Sequence, residues 1–196
     1  MQLHRSDVVD AATRLLDDYG IADLTMRRLA RELNVSPGAL YWHFANKQQL
    51  LGAVADRILG TIDCAGDWRH RITGICRGLR NALLSHTDGA ELASASFAAG
   101  QSAAMTAIVA ALSDAACDAG VASGQAELAA RTVVYYVLGF TADEQSRLQW
   151  DAAGALPDGQ SVLTTDPSAR FAFGLGLLVD GLASCAETGV SQAKCE

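Results

Sequence analysis

Apolar residues recur along this chain at intervals of three and four, and no segment alternates in the manner of a strand, so the pattern predicts an all-α protein. Val8, Val9, Ala12, Leu15 and Leu16 mark a first helix over residues 6–20, with Ser6 as its N-cap and Gly20 as its stop. Residues 21–24 connect it to a second helix capped by Thr25. There Leu29, Ala30 and Leu33 form one apolar side, and Arg27, Arg28 and Arg31 supply cations to the other. The turn at 34–38 ends that helix. Ser36 is placed to cap a third helix over 37–44, and Pro37 sits at its first position, where a missing N–H costs nothing. Asn46 opens a longer helix through Leu50, Leu51, Val54, Ile58 and Ile62 that is expected to end near Gly66. Beyond it the spacing predicts helices over 68–85, 90–100 and 103–119, then one from 123 or 124 to about 150 and a last one over 167–187. Asp88 and Gly89 mark a turn, and Gly154, Pro157 and Gly159 mark a surface loop over 151–166.

A third helix of eight residues is too short to persist alone, so its neighbours must hold it. That is how a helix-turn-helix presents its second helix to a DNA major groove. The stretch TMRRLARELNVSPGALYWHFANK, residues 25–47, carries this arrangement with four basic residues against one acidic. Its run VSPGALYWHF at 35–44, followed by Lys47, resembles the DNA-binding region of the tetracycline repressor (TetR) family. The resemblance implies an N-terminal three-helix DNA-binding domain over 1–47, a connecting helix over 48–66 and a helical ligand-binding and dimerisation domain over 67–196. It places Thr25, Arg27, Arg28, Ser36, Pro37, Gly38, Ala39, Tyr41, Trp42, His43 and Lys47 in or beside the contact surface. Arg27 is the candidate for a base or phosphate contact, and Tyr41, His43 and Lys47 are candidates for phosphates that fix the register. Ala39 offers a methyl group and Gly38 no side chain, so base readout through this helix is sparse. Leu40, Trp42 and Phe44 are expected to pack in the core, Trp42 being kept in the contact set as well.

Charge sharpens this picture. The net charge of −7 argues against nucleic acid as a partner only until it is divided along the chain. Residues 1–57 hold seven basic and seven acidic side chains, so the whole deficit lies beyond them. A basic patch on an otherwise acidic protein suits contact with phosphate at one end. No charged start with an apolar run and cleavage site, and no apolar run of about 18 residues, is present, so a cytoplasmic protein without membrane association is expected. Five irregularly spaced cysteines read as buried thiols rather than metal or redox groups, and no cofactor is expected. The scattered histidines, His70 and His86 among them, read as surface positions. There is no phosphate loop, nucleophile elbow or metal-spaced set that would mark an enzyme.

The last helix is apolar on too many sides for one contact face. Phe171, Phe173, Leu175, Leu177, Leu178, Val179 and Leu182 alternate with Gly174, Gly176 and Gly181. It is either a buried central helix or one shared with a second subunit, as expected of a two-fold protein reading a palindromic site. Three islands in the body, ALLSHTDGA at 82–90, VLGFTADEQ at 137–145 and FAFGLGLLVDGL at 171–182, also resemble the ligand-binding domain of the tetracycline repressor itself. The resemblance implies a homodimer that a small-molecule inducer releases from double-stranded operator DNA. It also implies a difference, because Ala93 stands where that repressor has a histidine metal ligand, and an alanine cannot coordinate a metal. The aligned pocket positions are Asp63, Ile75, Leu79, Ser96 and Phe97, and the late carboxylate is Asp143. With Met105, Tyr136 and Phe140 added, the candidate lining is more apolar, and a metal-free, largely apolar inducer is expected. The alternatives are a DNA-binding regulator that is ligand-independent or controlled by a protein partner and, less favoured, a helical enzyme.

Overall fold

The structure is a computed structural model that describes residues 3–62, 64–156 and 166–192, with side chains described as far as Ser184. Among the described residues there are nine helices and no strand. By contact they divide into two compact units, one comprising Met1–Thr61 and Asn81–Thr106, the other Ile62–Arg80 and Ala107–Glu196.

The first unit holds α1 (Arg5–Asp23), α2 (Met26–Glu32), α3 (Pro37–Tyr41), α4 (Lys47–Leu59) and α6 (Gly89–Ala98). Val8, Ala12, Leu15 and Leu16 of α1 meet Leu29, Leu40, Phe44, Leu50, Val54 and Leu92 in one buried cluster. Helix starts are set by side-chain oxygens. Thr25 accepts from the Arg28 N–H at 3.2 Å, Ser36 from Ala39 at 3.3 Å and Asn46 from Gln49 at 2.9 Å, while Gln49 Oε1 accepts in return from the Ala45 N–H at 3.0 Å.

Several boundaries differ from the sequence expectation, among them the end of α3, at Tyr41 rather than Phe44. His4, not Ser6, precedes α1, because the Asp7 carboxylate accepts the His4 N–H at 2.8 Å and starts the helix early. Gly20 bends α1 rather than ending it. Its φ is +78°, and the freed Ile21 N–H donates to Asp88 Oδ2 at 3.0 Å, so a last turn follows the bend. Helix α4 stops at Leu59 because Gly60 takes φ +55°, so it does not reach Gly66.

Helix α4 packs on α6, and it meets the chain just after α6 at short range because Gly52 lacks a side chain: a Cβ there would lie 2.1 Å from the Gln101 carbonyl oxygen. Asp56, one turn on, accepts from Ser102 Oγ at 2.6 Å and from the Ala104 N–H at 2.9 Å, capping the start of α7 (Ala103–Asp118). Asp17 accepts from the Thr87 N–H and sits 3.0 Å from His86 Nδ1, so His86 is half-buried and engaged rather than a plain surface residue.

The second unit takes α5 (Trp68–Leu84) as far as Arg80, α7 from Ala107, α8 (Ser123–Ala152) and α9 (Pro167–Gln192). Ile72, Ile75, Cys76, Leu79, Val133, Val134, Val137, Phe171, Leu175 and Val179 are among its buried side chains. Helix α9 extends five residues beyond the expected end, and most of the expected loop, 157–165, lies outside the described residues. The glycines of α9 divide in role. A Cβ on Gly174 would meet Tyr136 Oη at 2.3 Å, whereas Gly176 and Gly181 face open space.

Candidate functional site

Packing decides which side chains α3 can present. Leu40 and Phe44, four apart, are both fully buried, which turns the positions between them outward. Tyr41 is 51% exposed and Trp42 91%. Trp42 therefore does not pack in the core as expected, because its neighbours on either side already fill that space. Thr25, Arg27, Pro37 and Gly38 are exposed, and Ala39, His43 and Lys47 are half-buried. Thr25 and Ser36 spend their hydroxyls as helix caps, so their first role is to fix α2 and α3.

The two adjacent arginines of α2 differ. Arg28 Nη1 donates to Asp23 Oδ1 at 2.6 Å and its guanidinium lies 3.7 Å from the ring centre of Tyr19. That side chain is engaged within the protein. Arg27 is exposed, and among the described residues no ion pair engages it. Arg27, Arg31 and Lys47 thus join exposed Tyr41 and Trp42 on the helix-turn-helix, a surface of cations and aromatic groups suited to a phosphate backbone. Sequence reasoning passed over Arg5, whose Nη1 donates to the His43 carbonyl oxygen from 38 residues away.

The candidate ligand residues are drawn from both units. Ser96, Phe97 and Met105 belong to the first unit, where Met105 is buried and Ser96 donates its hydroxyl to the Leu92 carbonyl oxygen at 2.8 Å. Ala93, also of that unit, is fully buried. Ile75, Leu79, Tyr136 and Phe140 belong to the second unit, and Asp63 lies outside the described residues.

In the second unit Tyr136 and Phe140 join Phe171 in an aromatic triad with ring centres 5.4–5.9 Å apart. The Tyr136 hydroxyl donates to the Phe171 carbonyl oxygen at 2.8 Å, and burial pushes its pKa up, keeping it a donor. Beside the triad a cavity of about 520 Å³ is lined by Tyr136, Phe140, Ala169, Arg170, Phe173, Gly174 and Leu177. The first unit carries a polar cleft of about 450 Å³ lined by Asp10, Thr13, Arg14, Arg57, Ile58 and His86, where Arg57 pairs with Asp10 at 3.2 Å.

Asp143, the expected polar anchor, is exposed. The neighbouring carboxylate faces inward instead. Glu144 accepts from Arg80 Nε at 2.8 Å and Nη2 at 2.6 Å, and Glu144 and Arg80 are 6% and 7% exposed. The Arg80 guanidinium also lies 5.1 Å from the Phe171 ring centre, so this pair backs the aromatic triad. A partner 64 residues away leaves no local signal in the sequence.

Known proteins resemble this chain over nearly its whole length. The family model described as bacterial regulatory proteins, tetR family, matches residues 8–54, and that of the tetracyclin repressor-like C-terminal domain matches 63–156. The chain is 34% identical to the tetracycline repressor protein class C of Escherichia coli over 207 residues, covering 92% of this chain and 91% of that protein. Among solved structures it is similar to Mycobacterium smegmatis BioQ, at 65% identity and a TM-score of 0.87, with 94% of this chain and 99% of the other covered. A crystal structure of BioQ with its natural double-stranded DNA operator matches at 62% identity and a TM-score of 0.81, covering 93% and 99%.

Proposed function

Because the chain belongs to the tetR family of DNA-binding bacterial regulators, we propose that it represses transcription as a dimer on a palindromic operator and is released by a largely apolar, metal-free small molecule. The observation that carries the DNA half is the outward turn of Tyr41 and Trp42 beside uncommitted Arg27, over a buried Leu40 and Phe44. Tyr41, His43 and Lys47 hold phosphates and fix the register, and Arg27 reaches the duplex from α2. Pro37, Gly38 and Ala39 keep the approach to the groove shallow and free of bulk.

The dimer half rests on exposed apolar side chains along two helices. Leu128 and Tyr135 of α8 stand seven residues apart, and Phe173 and Leu177 of α9 are 71% and 61% exposed. Gly139, Gly176 and Gly181 face open space, where a second copy can approach closely. Phe173 and Leu177 also line the 520 Å³ cavity, so a second copy on that face closes it.

The ligand half rests on the aromatic triad with Ile75 and Leu79 of the same unit, and on Ala93, which offers a methyl group where a chelated metal would need a donor. Ligand acts by differential affinity, favouring a dimer whose recognition helices are wrongly spaced for successive major grooves. Helix α4 carries the change to α3, since Gly52 and Asp56 bind it to the segment between α6 and α7.

The test is mobility shift of the full chain on the operator duplex of the 62% identical relative, and on palindromes selected from a random pool. Retardation that an apolar compound reverses is expected. A chain that shifts no duplex would refute the repressor reading. Calorimetry with tetracycline plus magnesium checks the metal-free inducer, and a Kd tighter than about 1 μM would refute it.

A further inference from the structure

Helix α3 has five residues, so its carbonyl end lacks partners that a longer helix would supply from within. The chain then turns through Trp42 and His43 before burying Phe44. One side chain from another helix grips this turn. Arg5, the first residue of α1, donates from Nη1 to the main-chain carbonyl oxygen of His43 at 2.7 Å. The same guanidinium stands over the Phe44 ring with its carbon 4.0 Å from the centre. Two contacts on adjacent residues, one directional and one planar, suit the flat guanidinium fork better than a point charge. The grip has a fixed base: Phe44 is fully buried, and the first turn of α1 is held by the bond from the His4 N–H to Asp7.

We propose that Arg5 is a positioning residue for DNA recognition, clamping the carbonyl end of α3 to the start of α1 without touching DNA itself. The clamp acts through the main chain of the residues it holds. Tyr41, Trp42 and His43 lie on the five-residue helix or the turn that ends it, so a loose turn leaves their side chains in several orientations. Operator binding must then order them, and affinity falls by that amount. The inference rests on the DNA-binding reading of this surface.

The test compares full-length wild type with Arg5→Ala, Arg5→Lys and Lys47→Ala on one labelled palindromic duplex that wild type selects from a random pool. Affinity is read by fluorescence anisotropy across a salt series. Arg5→Ala and Arg5→Lys are both expected to melt like wild type, and Arg5→Ala to bind about tenfold more weakly at every salt concentration. Its slope of log affinity against log salt stays that of wild type, whereas Lys47→Ala shallows it by about 0.9 for each phosphate it no longer neutralises. Arg5→Lys loses several-fold, because the charge remains and the fork does not. In the unbound Arg5→Ala protein, amides of residues 41–46 exchange faster while the remainder is unchanged.

A slope shallowed by Arg5→Ala would make Arg5 a phosphate contact and overturn the proposal. Full affinity in Arg5→Lys or in Arg5→Ala would overturn it too, as would unchanged exchange at 41–46. Were Arg5→Ala to unfold, the Arg5→Lys affinity and exchange decide. Wild type binding no duplex would bring down the DNA-binding reading and this inference together; wild type binding while Arg5→Ala binds equally well brings down the inference alone.

Discussion

Truncating Glu144 to alanine should destabilise the protein far more than removing any of its exposed ion pairs. The carboxylate accepts two hydrogen bonds from Arg80, at 2.8 and 2.6 Å, and both residues are more than nine-tenths buried. After Glu144→Ala the guanidinium keeps its charge but loses both acceptors in a place that water scarcely reaches. Two charge-assisted hydrogen bonds at about 1.5–3 kcal/mol each suggest a loss of about 3–6 kcal/mol. Breaking a buried pair by removing one partner costs about 3–5 kcal/mol, in the same range. For a chain of this length each kcal/mol moves Tm by roughly 2–4 °C, so the melting temperature should fall by about 6–20 °C. Removing both ions together, as in Arg80→Met with Glu144→Leu, abolishes the desolvation cost of each and should recover most of the loss. Urea unfolding followed by far-ultraviolet circular dichroism, at one fixed protomer concentration, compares wild type with the single and double variants. A loss below about 1 kcal/mol for Glu144→Ala, the value of an exposed pair, would refute this account. So would a double variant no more stable than the single one.

Gly52→Ala should disrupt the packing of α4 on the residues after α6, since its methyl would overlap the Gln101 carbonyl oxygen; a melting temperature indistinguishable from that of wild type would refute the close contact. Tyr41→Ala and Lys47→Ala should each weaken operator binding by about tenfold with the fold intact, which anisotropy and circular dichroism check together. Burial raises the Cys76 thiol from 9.0 to about 12, so a thiol reagent in mildly alkaline buffer should modify exposed Cys117 and spare Cys76, as read by peptide mass mapping. Because the folded state holds that proton more tightly than the unfolded one, the contribution of Cys76 to stability is complete below pH 9.0 and is lost as pH rises toward about 12. A stability that falls as steeply across that interval in Cys76→Ala as in wild type would count against it.

What could be read in the sequence was whatever depends on near neighbours. The caps at Thr25, Ser36 and Asn46 were legible because each side-chain oxygen bonds an amide three residues on. The helix-turn-helix was legible through its motif, yet the outward turn of Trp42 was not. A tryptophan between Leu40 and Phe44 reads as core until it is known that those two occupy the available space. Carboxylates 143 and 144 show the same difficulty in sharper form. One helical step of about 100° separates a solvated residue from a buried one. Arg80, on another helix, holds the one that faces inward. The persistence of α1 past Gly20 depends on Asp88, whose carboxylate takes up the Ile21 amide from 67 positions further on. Long-range partners of this kind leave no periodic trace.

The first unit is assembled from two separate stretches of chain, and this limits how its parts can be exchanged between regulators. Leu92 of α6 shares the buried cluster with Leu50 and Val54 of α4, and Asp88 completes the bend at Gly20. A chimera that transplants residues 1–61 alone onto a foreign sensor would strip that cluster of α6 and leave the Ile21 amide without its acceptor. The compact unit is residues 1–61 together with 81–106. New operator preferences are therefore better installed by changing individual side chains on α2 and α3 than by cutting the chain at the end of α4.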